Sequence, residues 1–383
     1  MTQARLCPTC PKISIETPAA LWYNARGMKD INQLRQEIDR IDASIVQLLK
    51  ERMECVHEVG LIKKDADAPL FVPERESAQM QKLAALNAGV LPEKALQSIY
   101  RQIISCGYLL EGGLRVAYLG PEGTWSHQAA RERFGESVEL MPYASFDLIF
   151  KAIERGDADY GVLPIENSTY GFVSQTMDPL MVSNDLSICA QSRLHIRNCL
   201  LASIPREQIR TLYSHPQVLG QCRRWLHENF PAAEQVATKS TAVAARIAKE
   251  EAAQGAAALG SRLVAELYGL DVLEADVQDE ASNTTRFIII GKQPTVPTGR
   301  DRTSICFGVA NTPGTLAEVL TTFKQHNINI HCLDARPSRE APWQYLFFMD
   351  VEGHRDEEPL KTCLAQLQAT KTELKVLGSY PEQ

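Results

Sequence analysis

The sequence predicts a multi-domain protein whose successive parts belong to different fold classes: all-α, then α/β, then a small α+β module. Three observations carry this. From Ile31 onward, apolar residues recur in steps of three and four, the period of one helix face. Beyond Gly112-Gly113 that rhythm gives way to short apolar strands alternating with helices, the pattern of an α/β domain. A second break, Gly291–Arg302 with Pro294, Pro297 and Gly299, precedes a compact βαββα pattern. The chain of 383 residues also exceeds the length at which one hydrophobic core keeps growing.

The first part is a run of helices. Ile31, Leu34, Ile38, Ile41, Ile45 and Leu48 form one apolar seam, and no proline interrupts until Pro69. A helix of about 34 residues would be about 50 Å long. That is too long for a small domain and predicts packing against a partner, such as a second subunit. Pro69 and Pro73 end it. A helix from Glu74 to Asn87 follows, then one opened by Pro92 at its first position and running to about Glu111. Residues 1–28 read as a disordered extension. Cys7 and Cys10 have CxxC spacing, but no second Cys or His pair completes a metal site.

In the second part the predicted elements are strands at Val116–Leu119, Tyr160–Pro164, Thr211–Ser214, Ala256–Leu259 and Arg286–Ile290. Helices fall at Ser145–Arg155, Val218–Asn229 and Ala242–Glu251, and the alternation predicts a mainly parallel sheet. The third part reads as strand Ser304–Val309, helix Leu316–His326, strands Asn329–Ala335 and Trp343–Val351, and helix Leu360–Thr370.

Composition narrows the function classes. Hydrophobic content of 44% with 23% charged residues is that of a globular protein, and no apolar run suits a bilayer span. No secretory pattern opens the chain, so ten scattered cysteines predict reduced thiols and a cytoplasmic location. A net charge of −7 argues against nucleic-acid binding. Local cations can still hold anionic substrates.

Arg52 and Lys63 are cations on the helical seam, costly to bury without an anion. Two readings stand: an interhelical salt bridge, for instance to Glu76 or Glu111, or convergence on a dicarboxylate ligand together with Arg35, Arg75 and Glu76. Residues 29–112 resemble the all-helical chorismate mutase domain, through LRQEID, ERM, a Lys one turn after Gly60, and Arg75-Glu76 after the proline break. In that family two chains interlock and each site takes one Arg from its partner. The resemblance implies that the partner's Arg35 and Arg52 clamp the carboxylates of chorismate. It implies that Lys63 meets the ether oxygen, Glu76 the ring hydroxyl, and that Arg75 supports the site. The rearrangement is pericyclic and needs no nucleophile, cofactor or metal, only orientation and charge stabilisation. Glu111 stands where several members have a Gln donor. It must be protonated to donate, burial favours that form, and mutase activity is then expected to fall as pH rises. Val72 replaces an Asp found near the substrate hydroxyl in some members.

Four clusters stand at predicted strand ends of the second part: Gly120-Pro121-Glu122-Gly123-Thr124-Trp125-Ser126; Glu166-Asn167-Ser168; Ser214-His215-Pro216-Gln217; and Asn283-Thr284-Thr285-Arg286-Phe287. Thr124 and Ser126 suit either an anion site at a helix N-terminus or plain caps. An acyl-transfer triad is disfavoured: no G-x-S-x-G elbow is present, and Pro216 makes His215 a helix start. In this order the clusters resemble the prephenate dehydratase domain over residues 114–293. That resemblance implies two α/β lobes closing over a cleft, similar to periplasmic binding proteins. It implies a catalytic Thr285 helping the ring hydroxyl depart while the carboxylate leaves as CO2. Thr124, Ser168, Ser214 and Gln217 match cleft positions. Arg286 is a candidate for a substrate carboxylate or for an interlobe salt bridge, and Glu166 and Asn167 for the cleft floor.

Residues 303–383 resemble the ACT regulatory domain, through Pro313-Gly314-Thr315-Leu316 and Asp334-Ala335-Arg336-Pro337. The resemblance implies L-phenylalanine binding between two modules, at Gly314, Thr315, Leu316, Asp334 and Arg336. Thr315 and Asp334 depart from the family pattern, and a module that only dimerises is the alternative. Together the readings give an enzyme of phenylalanine biosynthesis: chorismate to prephenate to phenylpyruvate, inhibited by phenylalanine, a homodimer or higher, without nucleic-acid, membrane, metal or cofactor partners. Arogenate as dehydratase substrate and a non-catalytic ligand sensor are the alternatives.

Overall fold

The computed structural model describes residues 30–66, 68–337, 345–370 and 373–382; Cys7, Cys10 and Trp343 lie outside the described residues. The long helix is α1 (Ile31–Asp65), 35 residues. The chain divides into two compact units, and the division falls inside this helix, between Glu58 and Val59. In the first unit the predicted seam is solvent-facing: Ile31, Leu34, Ile38, Ile41, Ile45 and Leu48 are all exposed.

The second unit continues with α2 (Pro73–Asn87) and α3 (Glu93–Leu110). Pro73 occupies the first turn of α2, where its missing N–H costs nothing. Pro92, expected as the first helical residue of α3, is instead its N-cap, with extended ψ of 135°. Gly60 lets the last turns of α1 cross the end of α3: a Cβ there would lie 2.7 Å from Glu111 Cα.

The chain then builds two sheets. The first contains β1 (Arg115–Leu119), β2 (Glu139–Tyr143), β3 (Tyr160–Asn167), β4 (Gly171–Phe172) and β5 (Ser187–His195), with α4 (Trp125–Phe134), α5 (Phe146–Arg155) and α6 (Ser174–Val182) between them. The second contains β6 (Cys199–Ala202), β7 (Thr211–Ser214), β8 (Glu234–Ala237), β9 (Ala256–Gly260) and β10 (Asp271–Glu274), with α7 (Pro216–Gln221), α8 (Arg223–Asn229), α9 (Thr241–Glu250) and α10 (Arg262–Tyr268). The chain returns to the first sheet as β11 (Thr284–Gly291), giving the orders β2-β1-β3-β11-β5 and β10-β6-β9-β7-β8. These are the two lobes.

The mainly parallel sheet expected from the alternation is replaced by two mixed sheets. β1 runs parallel to β2 and β3, but β11 is antiparallel to both β3 and β5. The cause is the crossing: β5 leaves the first lobe at His195 and β11 re-enters opposite it, at Thr284. The helix expected over Val218–Asn229 is two helices, broken at Cys222.

The C-terminal module comprises β12 (Asp301–Gly308), α11 (Thr315–Gln325), β13 (Ile330–Pro337), β14 (Tyr345–Glu352), α12 (Leu360–Ala369) and β15 (Glu373–Pro381). Its sheet is antiparallel, in the order β13-β14-β12-β15. The expected βαββα pattern thus gains a sixth element, β15, whose interior Gly378 weakened its strand pattern in the sequence.

The first sheet is buried on both faces, and β11 shows how. Phe287 and Ile289 join a core that includes Phe71, Ile104 and Tyr108 from the helical part and Phe134 and Tyr160 from the first lobe. Ile288 and Ile290 join one that includes Phe348, Leu377 and Tyr380 from the C-terminal module. Phe71, in the α1–α2 connection, packs edge-on against Phe134 and Tyr160, each at 5.1 Å, and its carbonyl accepts from the Tyr160 hydroxyl at 3.2 Å. Each such buried aromatic stabilises by about 1.5–3 kcal/mol.

Gly378 lets β15 approach β5: a Cβ there would lie 2.1 Å from the Ile188 carbonyl oxygen. Gly378→Ala is therefore expected to loosen the module from the first lobe, at a cost of about 1–3 kcal/mol. Urea unfolding with limited proteolysis checks this; an unchanged midpoint and an uncut linker at residues 291–302 would contradict it.

Candidate functional site

The helical part places its cations in three settings. Lys63 Nζ donates to Glu111 Oε2 at 2.7 Å and to the Leu70 carbonyl at 3.0 Å. This is the interhelical salt bridge left open by the sequence. In the first unit Arg35 is exposed, while Arg52 Nη1 is buried without a hydrogen-bond partner among the described residues. Arg75 is exposed on α2.

Glu76, one residue on, is buried and fully engaged. Its Oε2 accepts from Arg133 at 2.6 Å and Arg101 at 3.0 Å, and its Oε1 accepts from the Tyr108 hydroxyl. Burial by itself would raise this carboxyl's pKa. The guanidiniums of Arg133 and Arg101 and the Tyr108 bond outweigh it and hold the pKa below the ordinary value. Arg133 belongs to α4 of the first lobe, so Glu76 joins the helical part to that lobe. Arg133 also lies 4.7 Å above the Phe71 ring, a cation–π contact.

In the two-lobed part the four clusters take distinct roles. Thr124 is the N-cap of α4: its hydroxyl donates to the Leu119 carbonyl at 2.8 Å and accepts from His127 N–H at 3.3 Å. Ser168 is exposed and bridges strand ends, its Oγ accepting from Thr284 N–H at 3.0 Å. Ser214 departs from the cleft role implied for it. Its hydroxyl is fully buried and donates to the Leu259 carbonyl at 2.8 Å, tying β7 to β9. His215 caps α7, with Nδ1 accepting from Gln217 N–H at 3.3 Å, and Gln217 is exposed. Ser214 and His215 thus spend their polar atoms on the fold, not on a nucleophile–base pair.

Thr285 lies where the lobes join, at the start of β11. Asn167 Nδ2 donates to Thr285 Oγ1 at 2.9 Å and to Asn283 Oδ1 at 2.9 Å. Asn167 is itself fixed, its Oδ1 accepting from the N–H groups of Thr169 and Tyr170. Because Thr285 Oγ1 accepts from Asn167, its own proton is free to be donated elsewhere. Asn283 is buried and its Nδ2 has no partner among the described residues. Asn167 and Asn283 were not singled out as polar contacts in the sequence; the recurrence of Asn in both strand-end clusters was the available signal. Across the join, the Tyr170 hydroxyl lies 3.5 Å from where a Gly220 side chain would begin. A cavity of about 570 Å³ lined by Gly220, Arg223, Arg224, His227 and Asp279 includes none of Thr285, Asn167 and Asn283.

Arg286, a candidate for a substrate carboxylate or for an interlobe salt bridge, forms its ion pairs within its own lobe and with the C-terminal module. Its Nε meets Glu166 at 3.1 Å and its Nη1 meets Asp350, on β14 of the C-terminal module, at 2.6 Å. In that module Gly314 adopts a left-handed φ of 94° and caps α11. Thr315 Oγ1 donates to the Ala310 carbonyl at 2.7 Å, and Leu316 packs on the module's core. Asp334 accepts from Arg336 Nε at 2.8 Å on the edge strand β13.

Comparisons with known proteins agree on all three parts. Family models match for chorismate mutase type II at residues 34–111, prephenate dehydratase at 116–295 and the ACT domain at 303–369. A bifunctional chorismate mutase/prephenate dehydratase of Aquifex aeolicus is 42% identical over 93% of this chain and 99% of its own. The chain belongs to that family. It therefore carries both activities, chorismate to prephenate and prephenate to phenylpyruvate, in phenylalanine biosynthesis. A prephenate dehydratase of Arthrobacter aurescens in complex with L-Phe is 29% identical, with a TM-score of 0.64, covering 70% of this chain and 89% of that one. GqqA, described as a quorum quenching acylase, is also 29% identical at TM-score 0.64, covering 70% and 98%.

The Glu76 cluster yields a pH prediction. A carboxyl with a depressed folded-state pKa adds stability that is fully present above its unfolded value, ~4.3, and is lost as pH falls through the folded value. Glu76→Gln should flatten the fall of urea midpoint with pH below about 5. It should also lower stability at pH 7 by about 3–5 kcal/mol, because two guanidiniums lose their anion. Parallel acid-side slopes for variant and parent would contradict the assignment.

Proposed function

We propose that this bifunctional enzyme works through the following residues. In the mutase, Arg52 and the Arg35 of a second copy clamp the two carboxylates of chorismate. Lys63 faces the ether oxygen, Glu111 holds Lys63, and Arg75 supports the site; Glu76, whose carboxylate is committed to Arg133, Arg101 and Tyr108, gives up the ring-hydroxyl role that the resemblance implied. The unpartnered, buried Nη1 of Arg52 supports this reading, since a buried guanidinium calls for an anion. The solvent-facing apolar seam of α1 supports a homodimer joined along that helix. No described helix is long and apolar enough to cross a membrane, and a cytoplasmic location suits the chemistry.

In the dehydratase, Thr285 gives its proton to the departing ring hydroxyl of prephenate. The electron pair of the breaking C–COO− bond moves into the ring and expels that hydroxyl as water, and the Thr285 oxygen recovers its proton from solvent, so the products are phenylpyruvate, CO2 and H2O. Aromatisation drives the step, and modest acid assistance suffices. The observation that carries this is the Asn167–Thr285 hydrogen bond, which turns the hydroxyl outward as a donor. Asn283 Nδ2 is a second donor at the same place. Ser168, Thr124 and Gln217 border the cleft. L-phenylalanine acts as effector at the C-terminal module, through Gly314, Thr315, Leu316, Asp334 and Arg336; its presence in the Arthrobacter dehydratase supports this.

Supplying chorismate and following prephenate and phenylpyruvate separately tests the assignment. Thr285→Ala should lower phenylpyruvate formation at least ~100-fold and leave prephenate formation within twofold. Arg52→Ala should do the reverse when prephenate is supplied directly. Full dehydratase activity in Thr285→Ala would overturn the role of that hydroxyl.

A further inference from the structure

We propose that Asp350 of the C-terminal module is a positioning residue for the dehydratase reaction, acting on Thr285 through Arg286. This rests on the reading that Thr285 is the catalytic hydroxyl. The geometry comes from two dipeptides on paired strands. Thr285-Arg286 of β11 lies opposite Asn167-Glu166 of β3. Thr285 bonds to Asn167, and Arg286 pairs with Glu166. Successive residues of a strand point to opposite faces, so Thr285 shares a face with Phe287 and Ile289. Arg286 shares the other with Ile288 and Ile290, against which the C-terminal module packs.

On that second face Arg286 ends on Asp350, at 2.6 Å, with both side chains buried. The rest of the Asp350 carboxylate is anchored within the module. Ser304 Oγ donates to Oδ1 at 2.5 Å and lies 2.7 Å from the Tyr380 hydroxyl, and Arg302 stands 3.9 Å from Oδ2. The link to Arg286 lacks hydrogen-bond alignment, and Arg286 Nη2 has no partner among the described residues. The two strands are thus joined by charge, which tolerates sliding, and not by a fork of aligned bonds, which would lock them. The β3–β11 register also shifts between Arg286 and Phe287. Such a bulge re-aims side chains next to active sites. Displacement of β14 moves Arg286, and the shared peptide carries that movement to Thr285. A misplacement of about 1 Å costs up to ~100-fold in rate.

The test uses the full chain with Asp350→Asn and assays dehydratase and mutase on one preparation. Dehydratase kcat is expected to fall about 10- to 100-fold with KM within threefold, while mutase activity is unchanged. In the residual activity of Thr285→Ala, adding Asp350→Asn should change nothing further. Equal losses in both backgrounds, or a loss confined to KM, would overturn the proposal. If Asp350→Asn does not fold, Ser304→Ala leaves the charge but loosens it, and a several-fold fall in kcat is expected; an unchanged kcat overturns the proposal. Wild-type turnover in Thr285→Ala would sink the underlying reading instead, so the two failures are distinct.

Discussion

The alternation of side chains along β11 is the constraint on which the second unit is built. One strand, interior to a sheet covered on both faces, must supply apolar groups to two cores at once. Phe287 and Ile289 serve the core shared with the helical part, and Ile288 and Ile290 the core shared with the C-terminal module. Its first residues then carry polar groups to the same two faces, Thr285 to one and Arg286 to the other. A register slip by one residue would exchange both cores and both polar groups together. On the proposed reading, the reacting hydroxyl and the link to the C-terminal module then sit on two consecutive residues.

Two buried carboxylates join the parts by a common logic. Glu76 accepts from Arg101 and Arg133, and Asp350 sits between Arg286 and Arg302. Such clusters add little net stability, because each charge has left water. Their value lies in geometry: a misdocked arrangement would leave a buried ion unpaired, at a far greater cost than a shifted apolar contact. The apolar cores hold the parts together and the ion clusters fix their alignment.

The fold was largely legible where periodicity is strong. The seam of α1 gave its length within a residue, whereas the first strand of the C-terminal module, expected from Ser304, begins at Asp301, inside the expected linker. What was not legible came from distant pairing. Nothing local to Arg286 announces Asp350, 64 positions away by the numbering, because an ion pair leaves no periodic trace. The antiparallel sense of β11 depends on where the chain crosses between lobes, and β15 was hidden by Gly378. Among the site residues, Thr285 was marked by its motif, whereas Asn167 became a hydroxyl partner only once β3 and β11 were paired. Ser214 shows the opposite error: a serine at a strand end looked available, but its hydroxyl serves the backbone of β9.

The exposed seam of α1 has a consequence for how the two activities respond to dilution. The groups proposed for the dehydratase, Thr285, Asn167 and Asn283, contact one another within one chain, so on that reading their geometry is independent of protein concentration. A mutase pocket that borrows Arg35 from a second copy obeys mass action. As the protein is diluted below the dissociation constant of the helix pairing, rearrangement of chorismate should fade while dehydration of supplied prephenate persists. The proportion of the two rates then becomes a readout of self-association, obtained without any sizing measurement.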